Sequence, residues 1–226
     1  MKSEKKVAVV IGATGNLGSA ICKALGEEGY YLDPVWLKNN HPDATLAKSY
    51  LNLPPKIHLA VYLAGINIIE KTEKLTEDQW NQVINVNLKG AFLLAKAAFP
   101  AMKAVRGATF ITISSIMTTH PYPFRMAYAA SKAGLEGLTR ALAVEWGKYE
   151  ISTHCIRLGH LAGLMKTTPP NPLLLKTVKE KTPSGQLIQP GDVAQYIVWL
   201  AKGGAKSVAG SIIDFDPAYT INRWPL

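Results

Sequence analysis

A chain of 226 residues, 48% of them apolar, suits one sizeable core. Its most apolar helical stretch, "AFLLAKAAFPAM", is broken by Lys96 and Pro100, so no membrane span is expected. Lys and Arg outnumber Asp and Glu by 25 to 16, a formal net charge of +9. The basic residues are scattered, however, and carry no nucleic-acid-binding signature, so a phosphorylated cofactor or an acidic substrate is expected as partner and nucleic acid is not.

The apolar run Val7 to Ile11 is too short for a signal h-region and leads straight into glycines. Cys22 and Cys155 form no disulfide framework, and the expected location is the cytoplasm. "KKVAVVIG" reads as a buried strand. In "IGATGNLG" the glycines at 12, 15 and 18 permit a tight turn with close backbone approach to a pyrophosphate. The helix "NLGSAICKALGEEG" follows, offering free N–H groups at its start and ending at Gly29. "YYLDPVWL" is a second, poorer strand, since Pro34 removes a ladder donor. Between Trp36 and Lys56 there is room only for a short connection and a short strand such as Lys48 to Leu53.

"KIHLAVYLAG" is the next strand, and a long helix is expected from Thr76 to Lys103. The strand "GATFITISS" precedes a long helix rich in small residues, "MAYAASKAGLEGLTRALAVEWGK". "EISTHCIRLG", "GDVAQYIVWLA" and "GSIIDF" then read as strand, helix and strand. This alternation implies an α/β, Rossmann-like doubly wound parallel sheet with helices on both faces, in a single domain over 1–226. Ligands of such sheets bind at the carboxyl ends of strands, where "AGIN", "ISS" and "RLGHLAG" also sit.

Within "YAASK", Tyr128 and Lys132 are one helical turn apart and share a face. An ammonium beside a phenol would lower the phenol's pKa; an ordinary surface pair is the alternative. None of the five histidines falls in a ligand spacing, and no metal is expected. His154 and Cys155 are adjacent on a strand and should face opposite ways.

Taken together, "IGATGNLG", "LAGI", "INVNLKGAFL", "ITISS", "YAASKAGLEGLTRALAVEW" and "IQPGDVAQYIVWLA" resemble the ordered motifs of the short-chain dehydrogenase/reductase family over nearly the whole chain. The resemblance implies an NAD(P)(H)-dependent oxidoreductase interconverting a carbonyl and a secondary alcohol. Ser115, thirteen residues before Tyr128, would orient the substrate oxygen, while Ser114 faces the other way. Tyr128 would be the general acid or base, Lys132 would hold the nicotinamide ribose and bias Tyr128 toward its anion, and Asn87 would anchor a relay water. The cofactor turn would use Gly12, Thr14, Gly15, Asn16, Leu17 and Gly18, with Ala64, Gly65, Asn87, Gly159 and Leu161 at neighbouring strand ends. Trp36 and Lys38 fall where the cofactor ribose is read, which favours NADP(H); Asp33 is the acid that would favour NAD.

Met117, Arg125, His160 and Met165 would face a small carbonyl or alcohol substrate, acidic or carrier-linked, beneath a lid at about 161–189. In that lid Leu173 to Leu175 either close over the site or form the buried stripe of a lid helix. A homo-oligomer, dimer or tetramer, assembled through the helices carrying Asn87 and Tyr128 is also implied.

The chain departs from the family pattern at several points. Asn16 stands where the middle glycine usually lies, and Tyr62-Leu63-Ala64-Gly65 replaces Asn-Asn-Ala-Gly. Gly163 replaces a threonine, Leu158 replaces the proline before Gly159, and Pro217-Ala218 replaces a glycine pair. These losses leave a second reading open: a degenerate member that binds a nucleotide or a protein partner without turnover.

Overall fold

Apolar strands flanked by amphipathic helices can bury both sheet faces only by layering helices on each side, and the chain does so. A computed structural model describes residues 5–32, 45–163, 172–204 and 206–222. Its strands are β1 (Val7–Ile11), β2 (Tyr31–Leu32), β3 (Leu59–Tyr62), β4 (Thr109–Ser115), β5 (Ser152–Leu158) and β6 (Ile212–Phe215). All pair in parallel, in the order β2-β1-β3-β4-β5-β6.

The helices are α1 (Asn16–Glu27), α2 (Glu77–Ile84), α3 (Gly90–Lys103), α4 (Met126–Trp146), α5 (Pro172–Lys181) and α6 (Pro190–Ala201). Successive strand residues alternate between two cores. Val10, Val61 and Ile156 pack with Ile21, Leu25 and Ile197 of α1 and α6. Val9, Ala60 and Phe110 pack with Leu94, Met102 and Leu135 of α3 and α4. Each such fully buried aliphatic side chain contributes roughly 1.5–3 kcal/mol over its exposed state.

Register sets the floor of the site. Ile11, Tyr62, Thr112, Cys155 and Ile212 are aligned across the sheet, but β4 and β5 run on to the Ser115–Leu158 pair. Ser115 therefore projects above the ends of β1 and β3.

Two expectations change. The strand anticipated at Lys48–Leu53 is instead a 3₁₀ turn, Ala47–Tyr50, and no described residue there joins the sheet. Both edges of β1 are already taken, by β2 and β3. The buried Tyr50 packs in the α3/α4-side core, its hydroxyl donating to the Gly90 carbonyl.

The helix expected from Thr76 to Lys103 is interrupted by one π turn, Asn85–Lys89, between α2 and α3. Its start is as the chemistry dictates. The Thr76 hydroxyl accepts from the Gln79 N–H, the Gln79 side chain accepts from the Thr76 N–H, and Glu77 and Asp78 complement the dipole.

Candidate active site

The loop before α4 hands the chain directly from β4 to Tyr128. Ser115, at the tip of β4, acts on the Tyr128 phenol to favour its anion, and the Lys132 ammonium lies 5.6 Å from the Tyr128 ring centroid. Three of the four proton-transfer candidates thus meet at one strand end. Lys132 is 4% exposed and donates to the Ile113 carbonyl at 2.7 Å. Burial pulls its pKa down to about 8.

The expected effect of Lys132 on Tyr128 is not what the fold produces. Burial pushes the Tyr128 phenol above its ordinary value, outweighing the downward pull of Ser115 and of the Arg125 charge. The Lys132 ammonium is directed at the Ile113 carbonyl and is itself disfavoured by burial, so it does not govern the phenol. A phenol so placed carries its proton at neutral pH.

Asn87, wholly buried, sits in the π turn. Its amide donates to the Ile66 carbonyl at 3.0 Å and the Ser131 hydroxyl at 2.9 Å, and its carbonyl accepts the Ile66 N–H at 2.8 Å. Ser131 in turn donates to the Tyr128 carbonyl at 2.7 Å. One side chain thereby ties the loop after β3 to the first turns of α4. A π turn alters the side-chain register of an otherwise continuous helix, a device common at functional sites. Gly65 lies against the same groups: a Cβ there would stand 3.3 Å from the Lys132 nitrogen and 3.5 Å from the Asn87 carbonyl oxygen.

The ties thought lost with the Asn-Asn-Ala-Gly segment have a substitute. Tyr62 is completely buried and its phenol donates to the Val86 carbonyl in the π turn.

At the other end of the candidate site, the glycine turn is packed closely on one side and open on the other. A Cβ on Gly12 (φ 92°) would stand 2.9 Å from the Ala64 nitrogen, and one on Gly18 would stand 2.2 Å from the Gly12 carbonyl oxygen. Those two glycines permit backbone packing. At Gly15 an added Cβ would meet, among the described residues, only the Gly12 oxygen, at 3.7 Å. No side chain caps α1. An open glycine beside uncapped N–H groups fits a pyrophosphate. Thr14 is exposed there, whereas Leu17 and Leu161 turn their side chains into the core and offer the site only backbone.

Two departures from the family pattern also prove to be one. The Asn16 amide donates to the Ala162 carbonyl at 2.9 Å, and a Cβ on Gly163 (φ 81°) would stand 2.5 Å from the Asn16 amide nitrogen. The side chain gained at 16 occupies the space given up at 163. Trp36, Lys38, Asp33 and Met165 lie outside the described residues. In the lid, Leu173 is 71% exposed, whereas Leu174 and Leu175 are half-buried on the same face of α5 as the buried Val178.

On the substrate side, the buried Met117 donates its N–H to the Ser115 hydroxyl at 3.3 Å and receives the Tyr122 N–H on sulfur at 3.4 Å. The Arg125 guanidinium lies 5.9 Å from the Tyr122 ring centroid. His160 meets the Tyr122 hydroxyl at 2.9 Å, and the latter meets the Tyr219 hydroxyl at 2.8 Å. Tyr122 and Tyr219 were not anticipated; the prolines on both sides of Tyr122 were the available signal.

A second unanticipated group lies beneath. Arg157 bonds both Glu136 oxygens, at 2.9 and 2.8 Å, and Asp214 at 2.8 Å. Glu136 also receives the hydroxyls of Ser114 and Thr118, both at 3.0 Å. Burial pushes the Glu136 carboxyl up, but Arg157, Thr118 and Ser114 together hold it below the ordinary range. An arginine inside a buried strand was the sequence's hint of such a partner. Ser114 faces this group, opposite Ser115, as alternation requires. Among the described residues no cluster of His, Cys, Asp or Glu could hold a metal, and no helix is long and apolar enough to cross a membrane.

Comparison with known proteins finds similarity along nearly the whole chain. A family model described as enoyl-(acyl carrier protein) reductase matches residues 38–220. An NAD-dependent glycerol dehydrogenase of Listeria innocua is 28% identical over 239 aligned positions, covering 96% of this chain and 94% of its own. An acetoacetyl-CoA reductase of Shinella zoogloeoides is 30% identical, covering 92% and 95%. Among solved structures, the ligand-free aldohexose dehydrogenase of Thermoplasma acidophilum superposes with a TM-score of 0.87 at 23% identity, covering 99% of this chain and 96% of its own.

Proposed function

The chain belongs to the short-chain dehydrogenase/reductase family and is an oxidoreductase, and on that premise we propose that it reduces a small carbonyl compound to a secondary alcohol, reversibly, with Tyr128 as the proton donor. The observation that carries this reading is the convergence of Ser115, Tyr128 and Lys132 at the carboxyl end of β4, with the Lys132 ammonium 5.6 Å from the Tyr128 ring centroid. Ser115 would hold the carbonyl oxygen against the phenol, and Tyr128 would pass its proton to that oxygen. When bound, NAD(P)H supplies the hydride to the carbonyl carbon. Lys132 has donors left beyond its one bond to Ile113, and these would hold the coenzyme ribose. Asn87 would keep the Gly65–Ile66 backbone and α4 in register and anchor the relay water. Gly12, Gly15 and Gly18 would hold the pyrophosphate.

The finer assignments follow the same reading. NADP(H) is favoured by Lys38, the substrate is acidic or carrier-linked, and the active form is a cytoplasmic homo-oligomer joined through α3 and α4. The groove between those helices, lined by Phe92, Phe99 and Trp146, supports that face. The alternative of binding without turnover rests on the shortened 37–56 region and on lost side chains, and for the latter Tyr62 and the Asn16–Gly163 exchange supply substitutes. Titration with each coenzyme, followed by a screen of carbonyl substrates, tests the proposal. Turnover is expected with NADPH favoured; absence of binding by both NADH and NADPH in the millimolar range would sink it.

A further inference from the structure

Two arginines stand near the carboxyl edge of the sheet, and they are treated differently. Arg157 is saturated by Glu136 and Asp214. Arg125 is half-buried and has no carboxylate partner among the described residues, its guanidinium lying over the ring of Tyr122. Its charge nevertheless reaches the interior of the site, where it acts on Tyr122, Tyr128 and His160. A cation kept partly dry, without an anion, beside the proton donor is costly unless a ligand supplies the anion.

The backbone around it is held in place at a cost. Phe124, immediately before Arg125, has φ 66°, a conformation an aromatic residue rarely adopts, and its carbonyl accepts the Glu70 N–H at 3.0 Å. Ala218, immediately before Tyr219, has φ 65°. There the Asp216 carboxylate fixes the turn by accepting the Thr220 N–H at 2.9 Å and its hydroxyl at 2.8 Å. The Pro217-Ala218 pair thus keeps a left-handed backbone where the family has glycine. Each strained residue directs the next side chain toward the same place. Tyr219 stands edge-on to His160 with ring centroids 4.7 Å apart, and Tyr122 stacks on His160 at 5.8 Å. Three separate segments therefore build one ring wall next to Arg125.

We propose that the substrate is a small oxo acid, or in the reverse direction its hydroxy acid, whose acidic oxygens are gripped by Arg125 and whose chain lies against the Tyr122–His160–Tyr219 wall. This rests on the oxidoreductase reading above, with the acid held while the carbonyl faces Ser115 and Tyr128. A guanidinium presents paired donors that match a carboxylate in two bonds. A phosphorylated carbonyl compound offers the same oxygen chemistry, and the substrate panel separates the two.

The test compares kcat/KM for a series of oxo acids, their methyl esters and phosphorylated carbonyl compounds of equal length, in wild type, Arg125→Gln and Tyr219→Phe. Wild type is expected to favour acid over ester by about 100-fold, and Arg125→Gln to erase that preference by losing the acid alone. Tyr219→Phe is expected to raise KM for the acid several-fold with kcat nearly kept. Equal rates on acid and ester in wild type, or an Arg125→Gln variant that slows both alike, would overturn the proposal. A preference for the phosphorylated series would keep Arg125 as the anion site and replace the carboxylate.

A second readout is independent of turnover. The coenzyme complex of the Tyr128→Phe variant, titrated with the hydroxy acids by calorimetry, should bind them. The same titration with Arg125→Gln added should fail. Binding that depends on Arg125 in a protein that reduces no carbonyl would leave the anion site standing and remove the oxidoreductase assignment; turnover of neutral carbonyls without such binding would do the reverse.

Discussion

The coenzyme half of the site, around the turn after β1, and the proton-transfer half, between β4 and α4, are held by opposite strategies. In the second half polar side chains are cross-linked: Ser114, Thr118, Glu136 and Arg157 form a closed group under Ser115, and Asn87 and Ser131 fix the helix that carries Tyr128. The first half depends on vacant space, with glycines at 12, 18 and 163 admitting neighbouring backbone or the Asn16 side chain. On the proposed reading, the half that positions the proton is cross-linked and the half that receives the coenzyme's phosphates is open.

The largest effect is expected from breaking the cross-linked half. Glu136→Ala leaves a guanidinium that is 15% exposed without its main partner. Loss of a buried ion-pair partner costs about 3–5 kcal/mol, and denaturant unfolding should register it as a lower midpoint. A mild loss would mean that Asp214 and water suffice for Arg157.

Next is a pH effect on the core face shared with α1 and α6. His154 is 1% exposed, its Nδ1 has no partner among the described residues, and burial pulls its pKa from 6.5 to about 4. Between those values the unfolded chain binds a proton that the fold refuses, so stability falls as pH drops through that window. His154→Leu should abolish about 3 kcal/mol of acid sensitivity, read as the change in unfolding free energy between pH 7.5 and 4. An unchanged pH slope would show that the imidazole is protonated in the fold.

The smallest and most specific effect concerns the open half. Gly163→Thr should lower thermal stability and weaken coenzyme binding, because the new Cβ meets Asn16 and the backbone is left-handed. Adding Asn16→Gly should restore part of the loss, with a coupling of about 1–2 kcal/mol. Strict additivity of the two changes would show that the exchange of space is not real.

What could be read in the chain follows from sequence distance. The βαβ alternation, the glycine turn and the Ser115–Tyr128–Lys132 spacing are each encoded within one or two adjacent elements, where period 2 and period 3.6 are visible. Illegible were contacts joining remote segments: Asn16 to Ala162, 146 residues apart, and Tyr122 to Tyr219, 97 apart. The π turn at Asn87 was hidden because a shift of helical register leaves the apolar pattern nearly intact. The Tyr128 pKa direction was misjudged because spacing shows an ammonium one turn away but not that it is turned to the Ile113 carbonyl.

The central claim is that Tyr128 delivers the proton. Single-turnover hydride transfer in Tyr128→Phe, alongside direct titration of coenzyme binding, tests it most directly. The account predicts loss of nearly all turnover with coenzyme affinity close to wild type. A Tyr128→Phe protein that reduces its substrate at the full rate would contradict it.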